Sequence, residues 1–282
     1  MAKAASDIAT TCYRHPNRET GVSCSSCGRP ICPDCMTSTS VGMRCPECSK
    51  HKTKVRTAAT LTGTPQLTYA LIAINVIVYA VTAAGGHGIN TPGGTVFAKL
   101  WLDAPQVAGG DWWRIVTAGF LHASILHIAF NMYFLYFIGG LLEPAIGKLR
   151  FGIIYAISLV GGSFGALLIS PNVETVGASG AVFGLLGAAI LVMRARGISP
   201  MQSGLGITLL LNLGITFTIS GISIGGHLGG LIAGGLISYL MFDFAERQGM
   251  SRNLVYISAG VLVVALAVGS VLVAKSAAPP IF

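Results

Sequence analysis

The sequence predicts an all-α polytopic membrane protein with seven spans and a small cysteine-rich domain at its N-terminus. Three observations lead there. Only 10% of the 282 residues are charged, against about a quarter in an ordinary soluble domain. The mean hydropathy is +0.70. The charge is also unevenly spread. Residues 1–56 hold 13 of the 28 charged residues and all seven cysteines, while residues 57–282 hold 34 of the 37 glycines. This composition excludes a disordered chain, a collagen-like chain and most soluble globular folds.

The gaps between charges locate the spans, because a helix needs roughly 20 apolar residues to cross a bilayer. The uncharged runs are Thr57–Ala98, Ile115–Leu142, Phe151–Val173, Thr175–Met193, Gly197–Phe242 and Asn253–Ala274. The polar stretch Gly85–Gly94 shortens the first run to one span, and the fifth run divides into two near Ser220–Gly225. The expected spans are near 67–84, 122–142, 149–170, 179–193, 204–220, 225–242 and 254–274. The expected domains are a head at 1–50, a basic linker at 51–66, a six-span core at 67–245 and an additional C-terminal transmembrane helix at 254–274.

Orientation follows from Lys and Arg. With the N-terminus cytoplasmic, the inside loops carry Lys148, Arg150, Arg194, Arg196, Arg247 and Arg252, and the stretch Lys50–Arg56 is also inside. The outside segments carry only Lys99, Arg114 and Lys275. This predicts an integral membrane protein, placed in the plasma membrane, with the C-terminus outside. A cleavable signal peptide is not expected, because the polar N-terminus has no apolar core. The net charge of +8 is then a topology signal. Nucleic-acid binding is the competing reading of a basic chain, but no basic-aromatic patch accompanies it.

The head reads Cys12-x-x-His15, Cys24-x-x-Cys27, Cys32-x-x-Cys35 and Cys45-x-x-Cys48. Seven thiols and one imidazole are the ligand count for two tetrahedral Zn²⁺ sites. Gly28, Pro30, Pro33 and Pro46 beside the pairs supply turn chemistry. A disulfide framework is the alternative, and a reducing cytosol argues against it. Alternate pairs can share a metal in a cross-brace, or neighbouring pairs can. The preferred arrangement is the cross-brace, with Cys12, His15, Cys32 and Cys35 on one ion and Cys24, Cys27, Cys45 and Cys48 on the other. His51 is a substitute ligand or, more simply, a solvated residue. The head resembles a B-box-type zinc finger, which implies a structural binding module that recruits a cytosolic protein partner or regulates the core.

Ionisable groups inside a bilayer are expensive and usually functional. No Asp, Lys or Arg falls well inside an expected span, which disfavours an ion-driven transporter and excludes an aspartyl protease pair. His122, His127 and His227 are the titratable side chains within or beside spans. His122 and His127 are about 140° apart around a helix and do not share a face. His127 and Asn131 are one turn apart and do, and an imidazole beside a carboxamide suits an oxyanion better than a metal.

Gly177-Ala178-Ser179-Gly180 opens the short fourth span. Ser179 alone reads as a small packing residue, but at a helix start nearby backbone N–H groups lack intrahelical partners and can face an anion. The fourth span is too short for a full crossing, so Ser179 should lie below the surface, reached through the irregular segment Pro171–Val176. On the sixth span Gly226, Gly230 and Gly234 form a ridge at four-residue spacing, and Gly180, Gly184 and Ala188 form another on the fourth. Such ridges let helix backbones approach closely, which would bring the Ser179 hydroxyl to the His227 imidazole, as an activated nucleophile requires. Asn75 and Asn212 are expected to make interhelical hydrogen bonds, and Trp112 to anchor at the interface.

Trp113-Arg114, His122, His127-x-x-x-Asn131, Gly177-Ala178-Ser179-Gly180, His227-x-x-Gly230-x-x-x-Gly234 and Glu143 followed by Gly147 together resemble the rhomboid intramembrane serine proteases. The resemblance covers about residues 65–245. It implies a six-helix core and a catalytic dyad with Ser179 as nucleophile and His227 as general base, needing no catalytic cofactor. It further implies an oxyanion hole from the Ser179 backbone N–H, His127 and Asn131. Site support would come from Gly177, Gly230 and His122, the last as a hydrogen-bonding partner. The first loop would lie partly in the outer leaflet, and the fifth span with the loop before the sixth would act as substrate gate. Phe183 stands where a tyrosine often stacks on the catalytic histidine, so stacking survives and a hydroxyl is lost. The seventh span lies outside the resemblance and is expected to be an accessory packing helix. The implied substrate is a transmembrane helix entering sideways from the lipid bilayer. A catalytically inactive client-binding relative is the alternative.

Overall fold

The computed structural model describes residues 10–39, 42–50 and 63–277. His51 and the linker as far as residue 62 lie outside the described residues. The chain divides into two compact units, Met1–Thr60 and Leu61–Phe282.

The first unit has few apolar side chains to bury, and its shape follows its turns. Strands β1 (Thr10–Cys12) and β2 (His15–Thr20) form an antiparallel hairpin whose closing pair is Cys12 opposite His15. A 3₁₀ turn, Pro33–Cys35, precedes a second hairpin of β3 (Thr37–Thr39) and β4 (Gly42–Arg44). A short helix, Pro46–Lys50, follows. The buried core is Ile31 with Cys12, Cys24, Cys32, Cys35 and Cys45. The Tyr13 hydroxyl donates to Glu47, tying the first hairpin to the last helix, and Arg14 pairs with Glu47 at 3.1 Å. Those contacts, the Tyr13 hydrogen bond foremost, hold the Glu47 carboxyl at about 2.

The second unit is an all-α polytopic membrane fold. Its principal helices are α1 (Gln66–Gly85), α2 (Ile125–Ile146), α3 (Lys148–Ile169), α4 (Ser179–Ala195), α5 (Leu205–Thr218), α6 (Ile224–Tyr239) and α7 (Arg252–Ala277). Five of the helical segments are long and apolar enough to cross a membrane, and α4 and α5 are shorter apolar helices. The expected spans and these helices agree to within a few residues. Helix α6 runs on through a π-helical turn, Leu240–Phe244, into Ala245–Arg247.

Local chemistry sets the helix starts. Ser124 caps α2 by accepting from the His127 N–H, and Ser223 caps α6 by accepting from the Gly226 N–H. Both satisfy a donor that has no partner within its own helix. Helix α1 has no such residue of its own. Its cap comes from the buried Glu143 near the end of α2, whose carboxylate accepts from the Leu67 and Thr68 N–H groups at 2.9 and 2.8 Å and from the Thr68 hydroxyl at 2.8 Å. One carboxylate thereby satisfies the helix start and gains the favourable end of its dipole.

Glycine contacts bind α3, α4 and α6 together. Space for a Cβ at Gly230 is filled by the Gly180 carbonyl, and at Gly234 by Ser158 and the Gly184 backbone. The two expected ridges therefore meet. A third ridge was not foreseen: Gly161 and Gly165 on α3 abut the backbones of Gly229 and Gly225. Helix α3 is thus the buried centre of the bundle. Helix α7 packs along it, with Phe164 filling the space beside Gly269.

The segment between α1 and α2 is more ordered than the sequence suggests. It folds into short helices at Gly94–Leu100, Ala104–Ala108 and Arg114–Thr117. Buried Arg114 organises it, pairing with Asp111 at 2.9 Å and donating to the carbonyls of Ala98 and Trp101. The expected interhelical bond of Asn212 is a correction, whereas Asn75 interacts across with the Tyr155 hydroxyl of α3. The amides of Asn75 and Asn212 donate to the carbonyls of Leu71 and Thr208, one turn back in their own helices. That acceptor is the nearest one available to a short polar side chain on a helix.

Candidate active site

Ser179 is the first residue of α4, preceded by a segment without regular structure. The first loop holds that segment in place. Leu102 and Thr175 exchange two backbone hydrogen bonds, the Ala104 N–H donates to the Pro171 carbonyl, and the Gly177 N–H donates to the Ala118 carbonyl. The Arg114-centred loop is therefore a scaffold for the backbone that delivers Ser179.

Gly177 has a φ of +125°, in the region that disfavours a side chain. A Cβ there would lie 2.7 Å from His127 Nε2 and 3.6 Å from Ser179 Oγ. The missing side chain leaves a small space faced by both groups. His127 Nδ1 accepts from the Ala123 N–H at 3.3 Å. A neutral imidazole that accepts at one nitrogen carries its proton on the other, so His127 presents Nε2–H to this space. Asn131, buried one turn along α2, donates one N–H to the His127 carbonyl at 2.9 Å and keeps the second. The Ser179 N–H, at a helix start, has no partner within the helix. His127 Nε2 and Ser179 Oγ thus face one space, with Asn131 one turn along α2 from His127.

His227 is buried on the face of α6 that meets the first turns of α4. Phe183, one turn after Ser179, stacks on its ring at 4.2 Å between centroids and 20° between planes. The expected stacking is present without a hydroxyl. Among the described residues, the hydrogen bond of the His227 side chain runs from Nδ1 to Thr216 Oγ1 at 2.7 Å. Among the described residues no hydrogen bond joins the Ser179 hydroxyl to His227. His122 is fully buried and meets His127 edge-to-face at 5.1 Å, but neither ring nitrogen has a hydrogen-bond partner among the described residues. It also interacts with the backbone of Phe120, so its polar contacts stay within the segment just before α2. Trp112 is exposed, and the Trp113 indole donates to the Lys99 carbonyl at 3.2 Å.

Thr216 was not singled out from the sequence. A signal was there: Thr208, Asn212 and Thr216 recur every four residues along one stripe of α5.

In the first unit, alternate pairs come together. Cys12, His15, Cys32 and Cys35 form one cluster and Cys24, Cys27, Cys45 and Cys48 the other, with ligand atoms within 4.8 Å of one another. His15 turns Nδ1 toward the sulfurs of Cys32 and Cys35 at 3.3 and 3.4 Å, and Cys27 and Cys45 lie 3.8 Å apart. Four donors with 2.3 Å metal–sulfur bonds in tetrahedral array have such separations. Within each cluster the thiols differ. Backbone N–H groups, chiefly that of Cys45, draw the Cys24 thiol down. Burial pushes the Cys35 thiol up, and the neighbouring Cys45 and Cys27 do the same to Cys48.

A Rhomboid domain model matches residues 109–244. The chain is 32% identical over 223 residues to Rhomboid protease GluP of Bacillus subtilis (strain 168), covering 78% of this chain and 43% of that protein. It is 37% identical over 158 residues to the putative rhomboid protease YdcA of the same organism, covering 53% of this chain and 79% of that one. It is also 36% identical over 144 residues to Rhomboid-like protease 1 of Toxoplasma gondii, covering 48% of this chain and 49% of that protein. The chain thus spans less than half the length of GluP and of the Toxoplasma protein.

Proposed function

This chain belongs to the rhomboid family of multi-pass, intramembrane proteases, and on that premise we propose that it is an active serine endopeptidase working by a Ser179–His227 dyad. Ser179 Oγ attacks the scissile carbonyl carbon while His227 Nε2 takes its proton. The oxyanion is met by the Ser179 N–H, His127 Nε2–H and the free N–H of Asn131. His227 then passes its proton to the leaving amine, and water attacking the acyl-enzyme repeats the sequence. Preorganised donors in a water-poor site are the dominant source of rate here, since the dyad lacks a carboxylate.

The observation that carries this reading is the stack of Phe183 on His227. It puts the imidazole over the helix turn that begins at Ser179. The substrate is a transmembrane helix whose backbone must unwind locally, because helical carbonyls are already hydrogen-bonded. Cleavage lies near the outer membrane face, with α5 and the loop before α6 as gate. The N-terminus is cytoplasmic, the C-terminus outside, and the plasma membrane the site of action. The domains are a zinc head at 1–50, a linker at 51–66, the protease core at 67–245 and the accessory helix at 254–274.

The test is cleavage of a model transmembrane substrate in liposomes. Wild type cleaves, and Ser179→Ala and His227→Ala do not; unchanged cleavage by either variant overturns the dyad. The second reading is a catalytically inactive, client-binding protein of the same family. Failure of a fluorophosphonate probe to label Ser179 favours it.

The head holds two structural Zn²⁺ ions in the cross-brace arrangement, as a B-box-type module that recruits a cytosolic partner. The clusters supply seven sulfurs and one imidazole with no ligand left over, so no position remains for a catalytic water. Metal analysis of the purified full chain should return about two zinc ions per molecule; one or none refutes the two-site reading.

A further inference from the structure

We propose that Thr216 is a positioning residue for His227, fixing the imidazole in the tautomer that leaves Nε2 free to act as base. The proposal rests on the dyad reading and adds a third, uncharged member to it from a different helix.

The argument is a count of protons. A threonine hydroxyl has one proton to give and two lone pairs to receive. Thr216 Oγ1 donates to the Asn212 carbonyl at 2.7 Å, the same one-turn-back bond made by Thr208 to Gly204 and by the Asn212 amide to Thr208. Its proton is therefore committed along α5. The 2.7 Å contact with His227 Nδ1 can then only be Nδ1–H donating to the hydroxyl oxygen. A neutral imidazole protonated at Nδ1 has its lone pair on Nε2, which is the nitrogen that must accept the Ser179 proton. Both partners are buried, Thr216 at 1% and His227 at 9% exposure, so water competes poorly for the bond.

In serine hydrolases with a triad, a carboxylate holds the imidazole in this tautomer and also stabilises the imidazolium. Thr216 supplies the first of these and not the second. The ring is further clamped by Phe183 on one face, so orientation about the ring axis is left to the Nδ1 bond. Because Thr216 sits on α5 and His227 on α6, the bond exists only while the two helices hold their register.

The test uses the full chain in liposomes with a model transmembrane substrate. Thr216→Val keeps the side-chain shape and removes the hydroxyl; Thr216→Ser keeps the hydroxyl. Exposed Ser276 on α7 serves as control through Ser276→Ala. We expect Thr216→Val to lower kcat by about tenfold or more with KM nearly unchanged, less than the roughly 10²–10⁴-fold that a general base itself contributes. Thr216→Ser should stay within about threefold of wild type, and Ser276→Ala should match it. A normal kcat in Thr216→Val, an equal loss in Thr216→Ser, or a loss carried by KM overturns the proposal.

A second readout needs neither activity nor a folded valine variant. In a long-range ¹H–¹⁵N spectrum of histidine-labelled wild type, the signal missing from His227→Ala should show the Nδ1–H form. A signal of the Nε2–H form refutes the assignment. The two failures separate cleanly: cleavage by Ser179→Ala sinks the dyad, whereas a dead Ser179→Ala beside a normal Thr216→Val sinks only the role of Thr216.

Discussion

The two units of this chain are built on opposite solutions to the same shortage. The first shows almost no aliphatic core: among the buried apolar side chains of its described residues, Ile31 is joined only by cysteines. The second has apolar side chains in abundance, many of them exposed on its outer surface. Neither can rely on the hydrophobic effect for its final shape. A unit of this size in water buries too little surface to be stable without help, and helices in lipid gain little by covering one apolar surface with another. The head replaces the missing core with ligand clusters. The membrane unit replaces it with backbone contact, glycine against glycine, and with a few buried polar bonds such as those of Glu143. The lesson is that polar and small residues, rather than large apolar ones, specify structure in both.

Five experiments break or sharpen that contrast, beginning with the largest effect. Ser179→Ala or His227→Ala should lower cleavage by at least about 10⁴-fold, with the metal content of the head untouched. Chelation should do the reverse. Structural zinc in small domains contributes roughly 10–16 kcal/mol of folding free energy, so a strong chelator should unfold the head, seen as thiol reactivity of all seven cysteines. Fluorophosphonate labelling of the core should persist.

Gly230→Val puts a side chain where the Gly180 carbonyl already lies. It should cost about 3 kcal/mol or more, read as a lower melting temperature in detergent with unchanged zinc content. Glu143→Ala strips the cap from α1 and leaves the Leu67 and Thr68 N–H groups without their acceptor. The expected cost is about 1–3 kcal/mol, visible as faster hydrogen exchange at the start of α1. Phe183→Ala removes the ring stacked on His227. Aromatic stacking contributes about 0.5–1.5 kcal/mol, so kcat should drop by roughly 2- to 12-fold. Phe183→Tyr should change it less.

Much of the architecture was legible because the bilayer makes simple demands. Charge gaps marked the helices, and the spacing of Gly180, Gly184, Gly226, Gly230 and Gly234 announced a close crossing. The third ridge, on α3, escaped because the four-residue spacing of Gly161 and Gly165 does not by itself say which helix it meets. Asn212 was misread because a sequence shows the polar group and not which acceptor is nearest. Thr216 was passed over because threonine in a membrane helix ordinarily back-bonds to its own carbonyls, and it does that here too.

By itself the sequence determined the helices, the paired ligands of the head and the residue types of the candidate site. These depend on local properties: apolar length, two-residue ligand spacing and the turn chemistry at Gly177. Tertiary structure alone decided which pairs form each cluster, that the Arg114 loop holds the Pro171–Gly177 backbone, and that a hydroxyl from α5 meets Nδ1 of His227. Each is a contact between segments distant along the chain. Such contacts arise from which surfaces fit once helices pack, and no periodicity within one segment encodes that fit.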